Sequence, residues 1–112
     1  MTTIQGDNLR GHLEMLLLST LKRGAGHGFE ILKRLEAAGS GALKLKEGSL
    51  YPALYRLEAA GLIEGSWEEE STRRGPRRRI YALTKKGKGR LDEARGEWDT
   101  FVRVIGGILA AS

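Results

Sequence analysis

The sequence predicts a mainly α fold with one small β-hairpin. Apolar residues recur at helical spacing in successive stretches, and a pair of short alternating runs flanks a polar Gly75-Pro76 turn. The length of 112 residues suits one small core. Cysteine is absent, so neither a disulfide framework nor a thiolate zinc site can form, and His12 and His27 lack metal-ligand spacing. No metal and no cofactor are expected. The run Met15 to Leu18 is far too short for a signal sequence or a membrane span, so the expectation is a soluble, intracellular chain without a membrane partner.

The first helix is expected from about Leu9 to Lys22, with Leu9, Leu13, Leu16, Leu17 and Thr20 or Leu21 on one stripe. Met15 and Leu18 fall outside that stripe, so this helix either serves both a core and a partner surface or lies at the centre of a monomer. After a turn over Gly24 to Gly28, Ile31, Leu32, Leu35 and Ala38 mark a second helix ending at Gly39, with Glu30 and Arg34 paired on its wet side. Leu43 and Leu45, alternating with Lys44 and Lys46, read as a short strand.

A third helix runs from roughly Gly48 to Ala60. Steps of about 100° put Leu50, Ala53, Leu54 and Leu57 on one face and Ser49, Pro52, Tyr55, Arg56 and Ala59 on the other. A helix facing only water would carry Lys, Glu and Gln there. Small residues, Tyr51 and Tyr55 nearby and a single arginine suit close approach to another macromolecule, with hydroxyl and guanidinium groups reaching phosphates or base edges. One of the two tyrosines is expected to pack on a neighbouring element. Gly61 closes the helix, Leu62-Ile63 opens a strand through Trp67, and Arg79 to Leu83 is its partner. Thr84 is an N-cap for a fourth helix reaching about Ile108, although Gly106-Gly107 could end or bend it. Leu91, Ala94, Trp98, Phe101, Ile105 and Ile108 form a heptad seam, widened by Val102 and Leu109, that faces a helix of a second chain.

Charge is segregated along the chain. Lys and Arg number 19 against 14 Asp and Glu, a formal net charge of +5 that favours polyanionic partners. From Arg73 to Arg90 every charged residue is basic, including Arg74, Arg77, Arg78 and Arg79, and this segment spans the expected hairpin tip. Helix, helix, short strand, helix, hairpin, helix is the order of a winged helix-turn-helix domain, in which the third helix enters the major groove and the wing follows the backbone. Residues 1–84 are assigned to the DNA-binding domain with its N-terminal helix, and 85–112 to a C-terminal dimerisation helix, the whole forming one compact unit.

The fragments His27-Gly28-Phe29-Glu30-Ile31, Ser49 through Glu58, Gly61-Leu62-Ile63, and Gly75-Pro76 followed by Arg79 through Thr84 with Gly87 resemble the signature of PadR-like transcriptional regulators. The resemblance spans Leu9 to the C-terminus, and the single last helix is similar to the short subgroup. Phe29 departs from it, since tyrosine is common there. The resemblance implies a cytoplasmic bacterial repressor, nucleoid-associated when bound, that sits on an inverted-repeat operator in double-stranded DNA as a homodimer held by its first and last helices. Carried over by position, Ser49, Tyr51, Pro52, Tyr55 and Arg56 belong to the recognition helix and Arg73, Arg74, Arg77 and Arg78 to the wing. Lys44, Lys46 and His27 are further phosphate contacts. The resemblance further implies a ligand site, since some short members bind planar apolar or cationic compounds at the dimer interface through an aromatic residue of the last helix. Trp98 occupies that position, with Met15, Leu18, Phe101 and Val102 expected around it, either as an effector pocket or as dimer core.

A winged-helix module that binds RNA or protein through a basic wing is the alternative. An enzyme is not expected: no nucleophile has a histidine partner in a local motif, and no glycine run follows a strand to open a helix.

Overall fold

The computed structural model describes residues 4, 5, 9, 11–69 and 74–112. Arg73, assigned to the wing, lies outside the described residues. Chain order is β1 (Ile4–Gln5), α1 (Leu13–Lys22), β2 (Gly26–His27), α2 (Gly28–Ala38), β3 (Leu43–Lys44), α3 (Glu47–Ala59), β4 (Ile63–Trp67), β5 (Arg79–Leu83) and α4 (Lys85–Ala110). The mainly α class with a small antiparallel sheet is therefore observed.

Strands β2, β5 and β4 form an antiparallel sheet in that order, with Trp67 opposite Arg79 and Ile63 opposite Leu83. The expected hairpin thus gains a third strand at the turn before α2, where Gly26 pairs with Tyr81 and His27 with Ile80. The short strand at Leu43 pairs in parallel with Ile4–Gln5, a partner that two residues of sequence do not announce.

Helix α1 is the centre of the core and touches α2, α3, β5 and α4. It begins at Leu13, later than expected. His12 N–H closes a turn on the Leu9 carbonyl at 2.9 Å, and Gly11 holds the left-handed conformation within it, so the helix cannot extend back to Leu9. Leu9 is buried even so. Leu18 needs correction: it is fully buried in the chain's own core beside Leu17, Ile31, Leu50 and Leu54, because a helix surrounded on several sides needs apolar residues on several sides. Its burial removes it from any partner or effector surface.

α3 buries Leu50, Ala53, Leu54 and Leu57, the inward face read from the sequence. Pro52 is the sixth residue of α3, inside the helix, where its missing N–H forgoes the one bond to the Gly48 carbonyl. α4 is capped by Thr84, whose hydroxyl accepts from Gly87 N–H at 3.0 Å and donates to the Gly61 carbonyl at 2.7 Å. Gly87 lies so close to Leu62, just before β4, and to the end of β5 that a Cβ would collide with the Leu62 carbonyl oxygen and come within 2.7 Å of Leu83 Cδ1. α4 continues through Gly106-Gly107 to Ala110, so that pair does not end the helix.

The heptad seam also needs correction. Leu91 and Ala94 are buried inside the chain, where α4 packs on α1, and are unavailable to a second chain. Trp98, Phe101, Ile105 and Ile108 are exposed, as are Val102 and Leu109. Apolar spacing of three and four describes a stripe without saying which neighbour covers each part of it.

Candidate nucleic-acid interface

The N-terminus of α2, the outer face of α3 and the descending arm of the wing meet around one hollow of about 320 Å³, lined in part by His27, Tyr51, Arg77 and Arg78. Phe29, Gly28, Pro76, Arg79 and Tyr81 complete its wall. Four of the expected contact residues are thus brought together from three elements distant in sequence.

Tyr51 reaches the hollow because Gly28 has no side chain: a Cβ there would stand 2.6 Å from the Tyr51 ring. Tyr55, one turn on, is 75% exposed and points away from the core. Both tyrosines are exposed, Tyr51 at 45%, and the Tyr51 ring lies against Gly28. Ser49, Pro52 and Arg56 share the exposed face of α3 with Tyr55. Lys44 and Lys46 are exposed at the approach to α3, Lys46 being its N-cap residue, and line neither this hollow nor the one beside Tyr55.

His27 is placed at a junction. Its Nδ1 lies 3.2 Å from Glu30 N, capping α2, while its Nε2 lies 3.0 Å from Arg78 Nη1. A neutral imidazole has one lone pair, so only one of these contacts is a hydrogen bond at a time. With Nδ1 accepting from Glu30 N–H, Nε2–H and the Arg78 guanidinium present converging donors, an arrangement that an oxyanion at the positive end of α2 satisfies.

The wing is pinned at its neck. Glu68 N–H donates to the Arg78 carbonyl at 2.8 Å, Arg78 N–H donates to Glu68 Oε1 at 2.9 Å, and Arg77 Nε donates to the Glu68 carbonyl at 3.1 Å. The Glu68 carboxylate is thereby turned onto the backbone of the opposite arm. Arg74, Arg77 and Arg78 are exposed.

Residues 17–93 match the family model described as "Transcriptional regulator PadR-like family". The chain belongs to the PadR-like family of transcriptional regulators. A transcriptional regulator of Mycobacterium tuberculosis is 35% identical over 82 residues, 72% of this chain and 71% of that one. The solved structure of a transcriptional regulator from Clostridium thermocellum superposes with a TM-score of 0.82 at 31% identity, covering 91% of this chain and 97% of the other. A PadR-like transcriptional regulator from Bacillus cereus gives 0.77 at 31% identity, covering 93% and 97%. PadR-like proteins are DNA-binding regulators and not enzymes, and the winged helix is their fold. No helix among the described residues is long and apolar enough to cross a membrane.

Sequence reading missed Glu58, Trp67 and Arg79 as parts of this surface. Arg79 Nη2 lies 2.6 Å from Glu58 Oε2, and the guanidinium stands 5.3 Å from the centre of the Trp67 ring. The hydrogen bond to Glu58, partly opposed by desolvation, raises the Arg79 pKa above its ordinary value. The Tyr81 phenol is pushed up chiefly by burial and then by the Glu58 charge. A register placing Trp67 opposite Arg79 was the missing signal, and it depends on the hairpin turn.

Between α1 and α4 lies a second, open hollow of about 250 Å³ whose lining includes Met15, Trp98 and Phe101. Trp98 stacks on Phe101 at 5.7 Å between centroids, and the His12 ring meets Trp98 edge-on at 5.2 Å. Of the expected lining residues, Leu18 is in the core and Val102 is exposed farther along α4. Arg90 draws Glu14, Glu93 and Glu97 together at 3.3–3.4 Å, and its pKa is raised first by the bond to Glu97 and then by that to Glu14.

Proposed function

We propose that this PadR-like protein is a repressor that binds an inverted-repeat operator as a homodimer, with α3 in the major groove and the wing along the adjacent backbone. The observation that carries the reading is the convergence of His27, Tyr51, Arg77 and Arg78 on one hollow beside the open Tyr55 face. Base edges fall to Ser49, Tyr55 and Arg56, and phosphates to His27, Arg77, Arg78 and Arg74, with Lys44 and Lys46 flanking. Residues 1–84 serve as the DNA-binding part and the α4 end as the dimerisation part, acting in the cytoplasm.

Selection of bound fragments from a random duplex library tests this, followed by a salt titration of the winner against a scrambled duplex. A two-fold-symmetric site preferred over the scrambled one is expected. Equal, weak binding to every duplex that vanishes with salt would overturn it and leave only a basic handle for RNA or protein.

The dimer is supported by the apolar end of α4. Trp98, Phe101, Val102, Ile105, Ile108 and Leu109 are all exposed and span on the order of 120° of the helix, wider than a strict two-helix seam. Such a width suits contact with both α4 and α1 of a second copy.

Within that dimer, a planar compound stacks on Trp98 and Phe101 and releases the operator. Three carboxylates around the single Arg90 guanidinium favour a cationic one. Tryptophan emission during titration with planar cations reads the site; unchanged emission and unaltered operator affinity across a panel would leave Trp98 as packing.

A further inference from the structure

Glu58 is an acidic group beside a surface that, on the reading above, meets DNA. It follows Tyr55 and Arg56 on α3, and its carboxylate holds Arg79 at the foot of the wing, with 31% of each side chain exposed. Electrostatics alone disfavours this placement, because the carboxylate repels phosphates and occupies a cation that would otherwise attract them. Stability does not account for it either, since solvent screens a pair this exposed and leaves it little net contribution.

The local structure is nevertheless built around the pair. Arg79 is also covered by Trp67, its cross-strand partner. Gly65, on the same strand as Trp67, leaves the space in which the two charges meet: a Cβ there would stand 2.6 Å from Arg79 Nε and 2.8 Å from Glu58 Oε1. Tyr55, Glu58, Ala59 and Arg79 line one open hollow, so the pair spans the gap between the recognition face and the wing. The base of the hairpin is tied to α3 by Leu62 N–H on the Leu57 carbonyl at 3.0 Å and by the buried side chain of Ile63. Farther along the hairpin, the Glu58–Arg79 bond adds a side-chain link from α3 to the first residue of β5.

We propose that the Glu58–Arg79 pair is a positioning element that fixes the wing relative to the recognition helix, so that base and backbone contacts form together only on a matching site. The proposal rests on the DNA-binding reading. Glu58 touches no base in this scheme; it determines specificity through the placement of Arg77 and Arg78.

The test uses the full chain, the selected duplex and its scrambled counterpart. In Glu58→Gln one negative charge is lost and Arg79 is released, so the scrambled duplex is bound as well or better, with a salt slope steeper by up to about 1. The selected site is bound more weakly, and the ratio of the two affinities falls about tenfold or more. Gly65→Ala displaces the pair and keeps every charge; the ratio falls without a gain on the scrambled duplex. The double variant E58R/R79E restores part of the ratio lost by E58R alone.

A uniform gain on both duplexes for Glu58→Gln, with unchanged ratios in both single variants, overturns the proposal: Glu58 would then be only a local charge. A wild-type chain that shows no selectivity overturns the DNA reading itself, a distinguishable result. Circular dichroism melts accompany each variant, and a lowered ratio in a protein that melts like the wild type separates positioning from folding.

Discussion

In α4, Leu91 and Ala94 lie against α1 with 0% and 8% of their surface exposed, whereas Trp98, Phe101, Ile105 and Ile108, next along the same spacing, keep 39% to 63%. Helical periodicity selects a stripe, and the stripe here is continuous. What changes along it is the supply of neighbours: α1 covers the first turns, and no other element among the described residues covers the last. An apolar stripe that outruns its own domain marks where intrachain folding ends and association is expected to begin.

Substitutions in the two segments should therefore fail in different ways. Leu91→Ala removes a side chain fully buried in the monomer and is expected to lower stability by about 2–5 kcal/mol, read as a fall in Tm by circular dichroism. If it instead dissociates a dimer while leaving the fold intact, the division of α4 is wrong. Ile105→Glu acts on the other segment. On the proposed dimer, it should raise the dissociation constant about 100-fold or more in sedimentation equilibrium, with the monomer still folded, since an apolar side chain is removed and a charge is placed in the proposed interface.

Gly87→Ala sharpens the buried side of the comparison. Alanine is the better helix former by up to about 1 kcal/mol, yet its Cβ would strike the Leu62 carbonyl. A net destabilisation of about 1–3 kcal/mol is expected, and a stabilised variant would mean that the start of α4 can shift away from Leu62.

The exposed DNA face supplies a matching pair of smaller effects. Tyr55→Ala should leave Tm nearly unchanged and remove about 1–3 kcal/mol of discrimination at one operator position, measured with a set of single-base-pair variants. Arg77→Ala with Arg78→Ala should weaken all duplexes alike and flatten the salt slope by about 0.9 for each phosphate no longer neutralised. Equal behaviour of the two variants would dissolve the distinction between reading and positioning.

Much of this surface was legible because its signals are local. The inward and outward faces of α3 follow from a helical period over consecutive residues, and Thr84 and Gly61 mark helix ends through their own chemistry. The charge segregation that placed the wing is likewise contained in one segment. The start of α1 was missed although its signal, Gly11, is also local: an apolar stripe looks continuous even when one residue in the left-handed region interrupts the helix. Leu18 was misplaced for another reason, because a helix at the centre of a core has no outer face for the period to reveal.

The sequence by itself determined the four helices, their order, the basic hairpin and the outward Tyr55 face, since each depends on torsional preference or apolar period within a few turns of chain; the two-residue strands β1 and β2 exist only through their pairing. Only the tertiary structure decided which neighbour covers each apolar residue and which charges meet. Leu91 went to α1, Tyr51 settled on Gly28, and Glu58 found Arg79 across 21 positions of sequence. Those pairings depend on strand register and helix packing, which depend in turn on the whole core closing at once, and no local pattern encodes that sum.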